Sequence, residues 1–427
     1  MRKAVSLIVS LVLVLSLTAP AMAADPLTRL GFVRSVFGDV VSEQDAVIAA
    51  PFTDVNPQDA LFVAAIVNAG IANGFGDGTF RPNASITSEQ AVVMVIRYLT
   101  MGKGELELAM TTVPEDINVS GWALPYLAWA MENAVELVPS FDAGTRASSS
   151  LVELLRGMIP EMFTVENVLV NNGGHDIPAV VTMPTGAEGE MFPVVIMLHG
   201  TGSNKDEAGG GYLLLAPFLA KNGIGSIRFD FMGNGDSEAD YIDYSFTTAV
   251  ADANRMIEYA QELPNADPSA IGIMGWSQGG TIALLTAGVN DAVVSVVTWA
   301  GAPNLRYSSL FTEEGYAEAL ENGYSMLEFA WRDSLRLGLQ WYEDVLNTDV
   351  LEVFSRSAAP VLAIIGGGDV VVEPETAGLI AGASSNEASE ALVLEGVDHT
   401  FNIFSGDMTA FNRLSVLTLE WFADTLR

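Results

Sequence analysis

The fold is decided by Gly275-Trp276-Ser277-Gln278-Gly279, which separates two segments of different character. The apolar run 270–274 before it is typical of a buried strand, and 280–285 after it has the composition of a helix. A serine between a strand and a helix lies on a sharp turn, where flanking glycines leave room for a strained backbone. The pattern therefore predicts that the hydroxyl of Ser277 is exposed at the carboxyl edge of a sheet.

The residues on both sides of this stretch alternate between apolar runs and helical periods. Ser245 is a predicted N-cap, and the helix after it has apolar positions from Phe246 to Ala260. Continuous apolar strands separated by helices require a sheet that is covered on both faces. We therefore predict an α/β fold with a mostly parallel, doubly wound sheet. Its further strands are expected at 193–198, 225–230, 294–299, 360–365 and 391–394.

A serine nucleophile needs a base, and the chain contains three histidines. His175 lies in a glycine-rich segment before the central strands and is interpreted as a surface loop residue. His199 ends the strand 193–198 and is interpreted as a hydrogen-bonded structural histidine. His399 follows the last apolar strand, where its loop meets the same sheet edge as the serine. His399 is therefore the predicted base.

The third catalytic group is a carboxylate that fixes the tautomer of the imidazole and stabilises the imidazolium. Asp369 follows the strand 360–365 through three glycines and is the predicted acid. Glu373 and Asp398 are the alternatives. Because Asp398 adjoins His399 in sequence, we expect its side chain to point away from the ring.

Two backbone N–H groups are expected to stabilise the oxyanion that forms when a carbonyl is attacked. One belongs to Gln278, directly after the serine, and the other to Thr201, in the loop after the strand 193–198. The order serine, acid, base along the chain, together with the strand–serine–helix motif, resembles the α/β-hydrolase superfamily.

Within that superfamily, residues 178–427 resemble the feruloyl and cinnamoyl esterases. The resemblance implies an ester hydrolase that works through an acyl-enzyme, with a lid inserted at about 303–353. Aromatic side chains in this insert either contact a phenolic acyl group or form the core of the lid; they are Tyr307, Tyr316, Tyr324, Trp331, Trp341 and Tyr342. The resemblance is carried by His-Gly-x-x-x-Asn-Lys from His199, Arg-x-Asp-x-x-Gly-x-Gly-x-Ser from Arg228, Gly-x-Ser-Gln-Gly-Gly from Gly275, Gly-x-x-Asp-x-Val-Val-x-Pro from Gly366 and Gly-x-Asp-His-x-Phe from Gly396.

Residues 25–160 contain a weak internal repeat of short helices joined by turns. A later copy begins at Pro114, and Pro26–Val33 is similar to the closing helix of a truncated earlier copy. The motifs resemble the S-layer homology (SLH) module. The resemblance implies a small α-helical domain that attaches proteins to the cell wall by binding secondary wall polysaccharide. The central copy shows Phe52-Thr53-Asp54-Val55, Gly70-Ile71-Ala72-Asn73-Gly74 and Asp77-Gly78-Thr79-Phe80-Arg81-Pro82-Asn83.

The repeat departs from that family at the usual binding signature, Thr-Arg-Ala-Glu at the start of the second helix. The central copy has Thr87-Ser88-Glu89-Gln90, the last copy has Ser148-Ser149-Ser150-Leu151, and an arginine is kept only in Thr28-Arg29. An arginine supplies the charge-assisted hydrogen bonds that an anionic glycan needs. Surface attachment and a purely structural role therefore both remain open.

The N-terminus has the pattern of a secretory signal peptide at 1–23. Arg2 and Lys3 precede the apolar run Val5–Leu17, and Ala21-Met22-Ala23 is a small-residue cleavage site. The apolar run is short for a membrane span. We therefore expect a secreted protein, associated with the cell surface, without a stable membrane span after cleavage.

The composition excludes several other functions. Asp and Glu number 53 against 19 Lys and Arg, and the net charge of −34 repels nucleic acids and anionic membranes. This acidity fits either solubility outside the cell or a saline habitat. The chain has no cysteine, which excludes disulfides, thiolate metal sites and a catalytic thiol. We expect neither a metal nor a cofactor.

The sequence therefore predicts a two-domain protein, with an SLH region at 25–160 and a hydrolase domain at 161–427. Its expected activity is that of a serine carboxylic ester hydrolase on small or polysaccharide-linked esters of the feruloyl, cinnamoyl or acetyl type. One alternative is a peptidase of the prolyl-oligopeptidase kind, although those enzymes usually have Tyr where this chain has Gln278. The other alternative is a non-catalytic wall-binding protein.

Overall fold

The structure, a computed structural model, describes residues 27–38, 41, 52–100, 119–133, 145–158, 163–329, 332–405 and 409–426. These residues form two compact units. One unit comprises the described residues within Met1–Phe37, Phe52–Asp54 and Gly70–Ile159, and the other those within Gly38–Pro51, Val55–Ala69 and Pro160–Arg427. The signal peptide predicted at 1–23 lies outside the described residues, and the bounds 25–160 and 161–427 stay a prediction.

The described part of the chain before residue 160 is helical. In the first unit, α1 packs on α5, and α3 packs on α4 and α5. The apolar positions predicted to face inward on α3, Val92, Val95 and Ile96, are fully buried. Ser148 caps α5 by accepting the N–H of Leu151. The helices are α1 Arg29–Phe37, α2 Pro57–Asn68, α3 Ser88–Thr100, α4 Leu124–Asn133 and α5 Ser149–Gly157.

The motifs of the central repeat copy meet in one cluster. The carboxylate of Asp54 accepts the backbone N–H groups of Phe80 and Arg81, both at 2.8 Å. The ring of Phe52 packs on the ring of Phe80, with 5.5 Å between centroids. A Cβ on Gly74 would lie 2.0 Å from Cε1 of Phe52, so this position requires glycine. The spacing of the repeat motifs is therefore explained by contacts between them.

The second unit is built on an eight-stranded sheet with the order β1-β2-β4-β3-β5-β6-β9-β10. β2 runs antiparallel to both of its neighbours, and the other pairings are parallel. The predicted α/β fold with a mostly parallel sheet is confirmed. The strands are β1 Phe163–Asn171, β2 Asp176–Pro184, β3 Phe192–Leu198, β4 Gly225–Phe229, β5 Ala266–Trp276, β6 Val293–Trp299, β7 Tyr324–Leu327, β8 Leu335–Gly338, β9 Val361–Gly366 and β10 Glu390–Leu394.

The helices of this unit follow the strands. α7 begins after Ser245, as the sequence predicts. Ser245 and Thr248 form a capping box, in which each side chain accepts the backbone N–H of the other residue. Within the described residues, no helix is long and apolar enough to cross a membrane. The helices are α6 Gly211–Lys221, α7 Phe246–Glu262, α8 Gln278–Val289, α9 Glu313–Asn322, α10 Leu339–Asn347, α11 Val350–Phe354, α12 Thr376–Ala383 and α13 Thr409–Thr425.

The predicted lid segment, 303–353, contains α9, the antiparallel β7–β8 hairpin, α10 and the start of α11. Its aromatic side chains mainly pack on one another. Tyr316 and Tyr342 both contact the ring of Phe311, and Trp341 is buried edge-on against Tyr342. Tyr307 is 85% exposed. Trp331 lies outside the described residues.

His199 connects the end of β3 to the end of β4. Its Nε2 accepts the N–H of Phe231 at 3.1 Å, so Nδ1 carries the proton and donates to the carbonyl of Gly200 at 2.8 Å. Burial lowers the pKa of His199 to about 4. The ring is therefore neutral at physiological pH and holds two loops together, in agreement with its interpretation as a structural histidine.

His175 differs from the interpretation as a surface residue. It lies in the β1–β2 turn, but its ring is mostly buried, and Nε2 is 2.9 Å from a carboxylate oxygen of Asp252 on α7. Asp252 is fully buried and also accepts a hydrogen bond from the side chain of Asn172. The sequence spacing gave no sign of this partner, because α7 is far from the turn along the chain.

We expect the C-terminal segment 161–427 to fold without the preceding residues, because the ten strands that the structure describes and the helices packed on them lie within it. Purified residues 161–427 should show a cooperative thermal transition in near-UV circular dichroism. The full-length protein is the control. A segment without fixed tertiary structure would contradict the predicted boundary.

Stability should fall in acid because of His199. A histidine whose pKa is lower in the folded state binds a proton more readily when unfolded, so its stabilising effect is complete above about pH 6.5 and is lost toward about pH 4. The loss is on the order of 3 kcal/mol. Urea unfolding at several pH values should therefore give a shallower pH dependence for His199→Gln than for the native protein. Parallel pH profiles would show that His199 is not the titrating group.

Candidate active site

Ser277 occupies a strained turn between β5 and α8. Its backbone angles are φ 55° and ψ −121°, a conformation that costs a non-glycine residue on the order of 1–3 kcal/mol. The neighbouring chain holds it there: the N–H of Ser277 donates to the carbonyl of Trp299 at 2.8 Å, and its own carbonyl accepts the N–H of Gly280 at 2.9 Å. The side chain is thereby fixed at the carboxyl edge of the sheet, as the motif predicts.

The glycines around the serine are required by backbone packing. A Cβ on Gly275 would lie 2.0 Å from the carbonyl oxygen of Gly279, and a Cβ on Gly279 would lie 2.1 Å from that of Leu198. A Cβ on Gly280 would lie 2.8 Å from Cα of Gly301. Backbone atoms cannot move aside as a flexible side chain can, so α8 reaches this position only with glycines.

Asp369 and His399 form a hydrogen-bonded pair. Nδ1 of His399 lies 2.7 Å from Oδ2 of Asp369, whose side chain is fully buried. The second oxygen, Oδ1, accepts the N–H groups of Val371 at 2.8 Å and Val372 at 2.9 Å. The carboxylate is therefore fixed on both oxygens, and the ring is oriented with Nε2 free of this contact.

The alternative acids make other contacts. Oδ1 of Asp398 accepts hydrogen bonds from the backbone and hydroxyl of Thr400 and from the backbone of Asn402. The Asp398 side chain thus stabilises its own loop, as expected from its position next to His399. Glu373 lies in the wall of an adjoining cavity. Among the three carboxylates, Asp369 is the one that bonds to the imidazole.

Ser277, His399 and Thr201 line one cavity of about 750 Å³. In the described part of the chain the Ser277 hydroxyl has no hydrogen-bond partner, and bonds of this kind often tighten only when substrate is present. The rest of the wall is largely apolar and comes from the lid segment and from the loops after β9 and β10. It includes Leu305, Leu310, Phe329, Val371, Val372 and Phe404.

The two residues with the predicted oxyanion donors are adjacent. Oγ1 of Thr201 donates to Oε1 of Gln278 at 2.7 Å, and the Gln278 side chain is fully buried. Among the described residues, neither backbone N–H has a protein acceptor. A side-chain hydrogen bond thus holds the loop after β3 against the start of α8, and two N–H groups remain available for a ligand.

Further motif residues form the scaffold of the site. Lys205 donates through Nζ to Asp230 at 2.7 Å and to Asp236 at 2.6 Å. A Cβ on Gly235 would lie 2.2 Å from the carboxylate of Asp230, so glycine is needed there. The motif that begins at His199 and the motif that begins at Arg228 are therefore joined by ion pairs. These pairs stabilise the loops after β3 and β4.

Sequence reasoning missed part of the site. Glu207 lines the cavity and is 8% exposed, and Phe329 and Phe404, which the sequence analysis did not single out, belong to its aromatic wall. The signal for Glu207 was weak, because an acid nine residues after a strand usually lies on the surface. Within the described residues, no group of three His, Cys, Asp or Glu side chains is placed to hold a metal ion.

Comparison with known proteins gives two family matches. The model of the alpha/beta hydrolase family matches residues 195–413, more than half of the chain, and the model of the S-layer homology domain matches residues 51–92. The hydrolase match contains the serine, the aspartate and the histidine described above. The SLH match covers the central repeat copy.

Two curated bacterial relatives are also hydrolases by name. The protein YtaP of Bacillus subtilis (strain 168) is 29% identical over 163 residues, which are 33% of this chain and 54% of that protein. The 2,6-dihydropseudooxynicotine hydrolase of Paenarthrobacter nicotinovorans is 30% identical over 145 residues, 33% of this chain and 36% of that protein. The chain thus spans about half and about a third of the lengths of these relatives.

Among solved structures, Est1E from Butyrivibrio proteoclasticus with bound ferulic acid aligns with a TM-score of 0.51 at 19% identity. The alignment covers 60% of this chain and 98% of Est1E. At this identity the likeness concerns the fold alone. The family matches over residues 195–413 and 51–92 establish that this chain belongs to the alpha/beta hydrolase family and carries an S-layer homology domain.

Proposed function

We propose that this hydrolase is a secreted, cell-surface serine esterase in which Ser277 attacks the carbonyl of a carboxylic ester. One observation carries the proposal: Ser277, on its strained turn, and His399, bonded through Nδ1 to the buried Asp369, line the same cavity. A nucleophile, a base and an acid that orients the base are the groups that acyl transfer requires.

The reaction has two steps. In the first, Oγ of Ser277 forms a bond to the carbonyl carbon while its proton passes to Nε2 of His399. His399 returns this proton to the alcohol as the ester C–O bond breaks. In the second step, His399 takes a proton from water, the hydroxyl attacks the acyl-enzyme, and the acid leaves as Ser277 regains its proton. Asp369 keeps the proton of the neutral ring on Nδ1 throughout.

Negative charge on the carbonyl oxygen is stabilised in both steps by the N–H groups of Thr201 and Gln278. Support comes from their free donors and from the bond between the two side chains. Loss of one such donor typically reduces kcat by about 10²–10³-fold. The start of α8 adds to this effect, because a helix N-terminus favours negative charge.

The cavity wall favours an apolar acyl group. Leu305, Leu310 and Phe329 from the lid segment and Phe404 from the opposite side surround a volume that exceeds the needs of an acetyl group. A phenolic acyl group would place its ring against Phe329 or Phe404. Est1E, whose structure holds ferulic acid, shares the fold. We therefore propose hydroxycinnamoyl-type esters ahead of acetyl esters.

The SLH unit is proposed to attach the enzyme to an anionic wall polysaccharide. Arg29, Arg97 and Trp122 line a cavity of about 250 Å³ in this unit. Burial, with a smaller effect from Arg97, lowers the pKa of Arg29 to about 10, so two cationic groups share this cavity at neutral pH. They supply the charge that the missing signature arginines would otherwise provide.

A panel of substrates separates the candidate functions. Purified protein should hydrolyse p-nitrophenyl acetate, and methyl ferulate more efficiently, while a prolyl peptide amide stays intact. Cleavage of the peptide amide alone would favour the peptidase. Absence of turnover on every substrate would favour a non-catalytic surface protein.

Ser277→Ala should reduce kcat by about 10⁴-fold or more, because removal of the nucleophile leaves only binding and the oxyanion donors. Initial rates with p-nitrophenyl acetate measure this directly. Ser308→Ala is the matched control, since Ser308 lines the same cavity and its hydroxyl donates to the carbonyl of Leu305. Near-normal hydrolysis by Ser277→Ala would exclude it as the nucleophile.

His399→Ala should reduce kcat about as strongly as Ser277→Ala, since the base and the nucleophile act as a unit. His175→Gln should lower the free energy of unfolding by removing the imidazole that lies 2.9 Å from the buried carboxylate of Asp252, but should keep the kcat of the folded fraction. Steady-state kinetics together with urea unfolding distinguishes the two effects. Equal losses of kcat would mean that the base is wrongly assigned.

A further inference from the structure

Glu207 is a buried carboxylate in the wall of the active-site cavity. It lies between β3 and α6, is 8% exposed, and has a left-handed backbone conformation with φ 55°. A non-glycine residue in this region costs free energy, and a buried carboxylate costs more unless it is hydrogen-bonded. Neither the left-handed backbone nor the buried carboxylate improves the packing of the apolar core, so we expect this side chain to have a role in the site.

The carboxylate holds the loop that carries the oxyanion donor. Oε2 of Glu207 accepts the backbone N–H of Gly200 at 2.7 Å, and this contact is buried. A Cβ on Gly200 would lie 3.4 Å from Cβ of Ser277 and 3.7 Å from Oε1 of Glu207. Gly200 therefore lies close to both Ser277 and the carboxylate, with its N–H turned toward Glu207.

The other polar groups of this loop are fixed in the same way. The carbonyl of Gly200 accepts from Nδ1 of His199 at 2.8 Å and from the N–H of Ser203 at 3.2 Å. The hydroxyl of Thr201 is bonded to Gln278. Among the residues that the structure describes, the N–H of Thr201 has no protein acceptor, and Thr201 lines the same cavity as Ser277. The carbonyl of its own peptide group and the N–H of the preceding one, both on Gly200, are held, so we expect this donor to have one orientation.

We propose that Glu207 is a positioning residue that orients the loop Gly200–Gly202 so that the N–H of Thr201 meets the oxyanion. The inference rests on the proposed role of Ser277. Glu207 acts as a hydrogen-bond acceptor and not through its charge, because a carboxylate near a developing oxyanion repels it. An amide oxygen at the same place should therefore serve as well.

Three substitutions distinguish the effects of the hydrogen-bond acceptor, the negative charge and the volume of the Glu207 side chain. Glu207→Gln keeps an oxygen acceptor without charge, and Glu207→Met fills a similar volume without an oxygen. Glu207→Asp keeps the charge but draws the carboxylate back by one methylene. Asp206→Asn is the matched control in the same loop, because the side chain of Asp206 pairs with Arg228. Thermal unfolding checks that each variant is folded.

Two readouts are measured for each variant. The first is kcat and KM for methyl ferulate. The second is the rate at which a fluorophosphonate labels Ser277. In that reaction Oγ bonds to phosphorus, fluoride leaves and the serine proton passes to His399. The phosphoryl oxygen occupies the oxyanion site, so this rate depends on the donors but not on acyl specificity.

We expect Glu207→Met and Glu207→Asp to lose about 10²-fold in kcat and in labelling rate, with KM changed by less than about threefold, since the oxyanion bond forms mainly in the transition state. Glu207→Gln and Asp206→Asn should stay within about fivefold of the native protein. If Glu207→Met fails to fold, Glu207→Asp carries the comparison.

Each other result has a defined meaning. Native labelling rates in Glu207→Met or Glu207→Asp would overturn the proposal. Equal losses in Glu207→Gln would also overturn it, because the charge and not the acceptor would then matter. A change confined to KM would indicate substrate contact instead. Labelling of Ser277 without ester turnover would reject the esterase while leaving this test intact, and absence of labelling would reject both.

Discussion

The close backbone contact between the turn at Ser277 and the end of β3 is the constraint on which the site depends. Gly279 lies so near the carbonyl oxygens of Leu198 and His199 that a Cβ would be 2.1 Å from the first and 2.6 Å from the second. This approach brings the loop after β3 to the nucleophile. It also brings Thr201 and Gln278, which belong to different elements and carry the proposed oxyanion donors, close enough for their side chains to bond. A larger residue at 279 would separate them.

His399, the proposed base, is held by a second set of contacts that begins at the same turn. The indole Nε1 of Trp276 donates to the backbone carbonyl of His399 at 3.1 Å. Its ring packs on Trp299 and Phe401, which lie in the core beneath the site. Trp276, the residue before the proposed nucleophile, thus fixes the loop of His399, while Asp369 fixes its ring. A small shift of these core rings would therefore displace both the turn at Ser277 and the loop that carries His399.

The sequence patterns predicted those features of the fold that depend on residues close together in the chain. The strands of the parallel sheet, the cap at Ser245 and the turn at Ser277 depend on neighbours in sequence, and each lies where the pattern indicates, with strand ends shifted by a few residues. The pairing of Asp369 with His399 was also predicted, and the structure shows the bond, because parallel strands bring their following loops to one edge.

Contacts between distant segments escaped prediction. The β1–β2 hairpin was missed, since one face of β1 is exposed and its alternation is weak. The partner of His175 is on α7, and the acceptor of the Gly200 N–H is a side chain whose sequence position suggests solvent. The lid aromatics could not be assigned to core or cavity, because composition does not distinguish a ring that packs on Phe311 from one that faces a ligand.

The charges around the cavity explain why the placement of N–H groups matters so much. Among the described residues that line it there is no Lys or Arg, and the carboxyl group that reaches its wall is that of Glu207. The adjoining cavity adds Asp369, Glu373 and Glu375 and again no cation. An oxyanion at Ser277 would therefore meet no Lys or Arg among the described residues of the cavity wall, and the nearby guanidinium of Arg332 donates to the carbonyl of Gly202. We expect its stabilisation to come mainly from oriented dipoles: two backbone N–H groups and the start of α8. Dipoles lose their effect more steeply with misorientation than a charge does. A site that relies on backbone dipoles must hold each peptide group in place. In the loop after β3, the bonds to His199, Glu207 and Gln278 do this. Misorientation of an N–H group would weaken oxyanion binding most in such acidic surroundings.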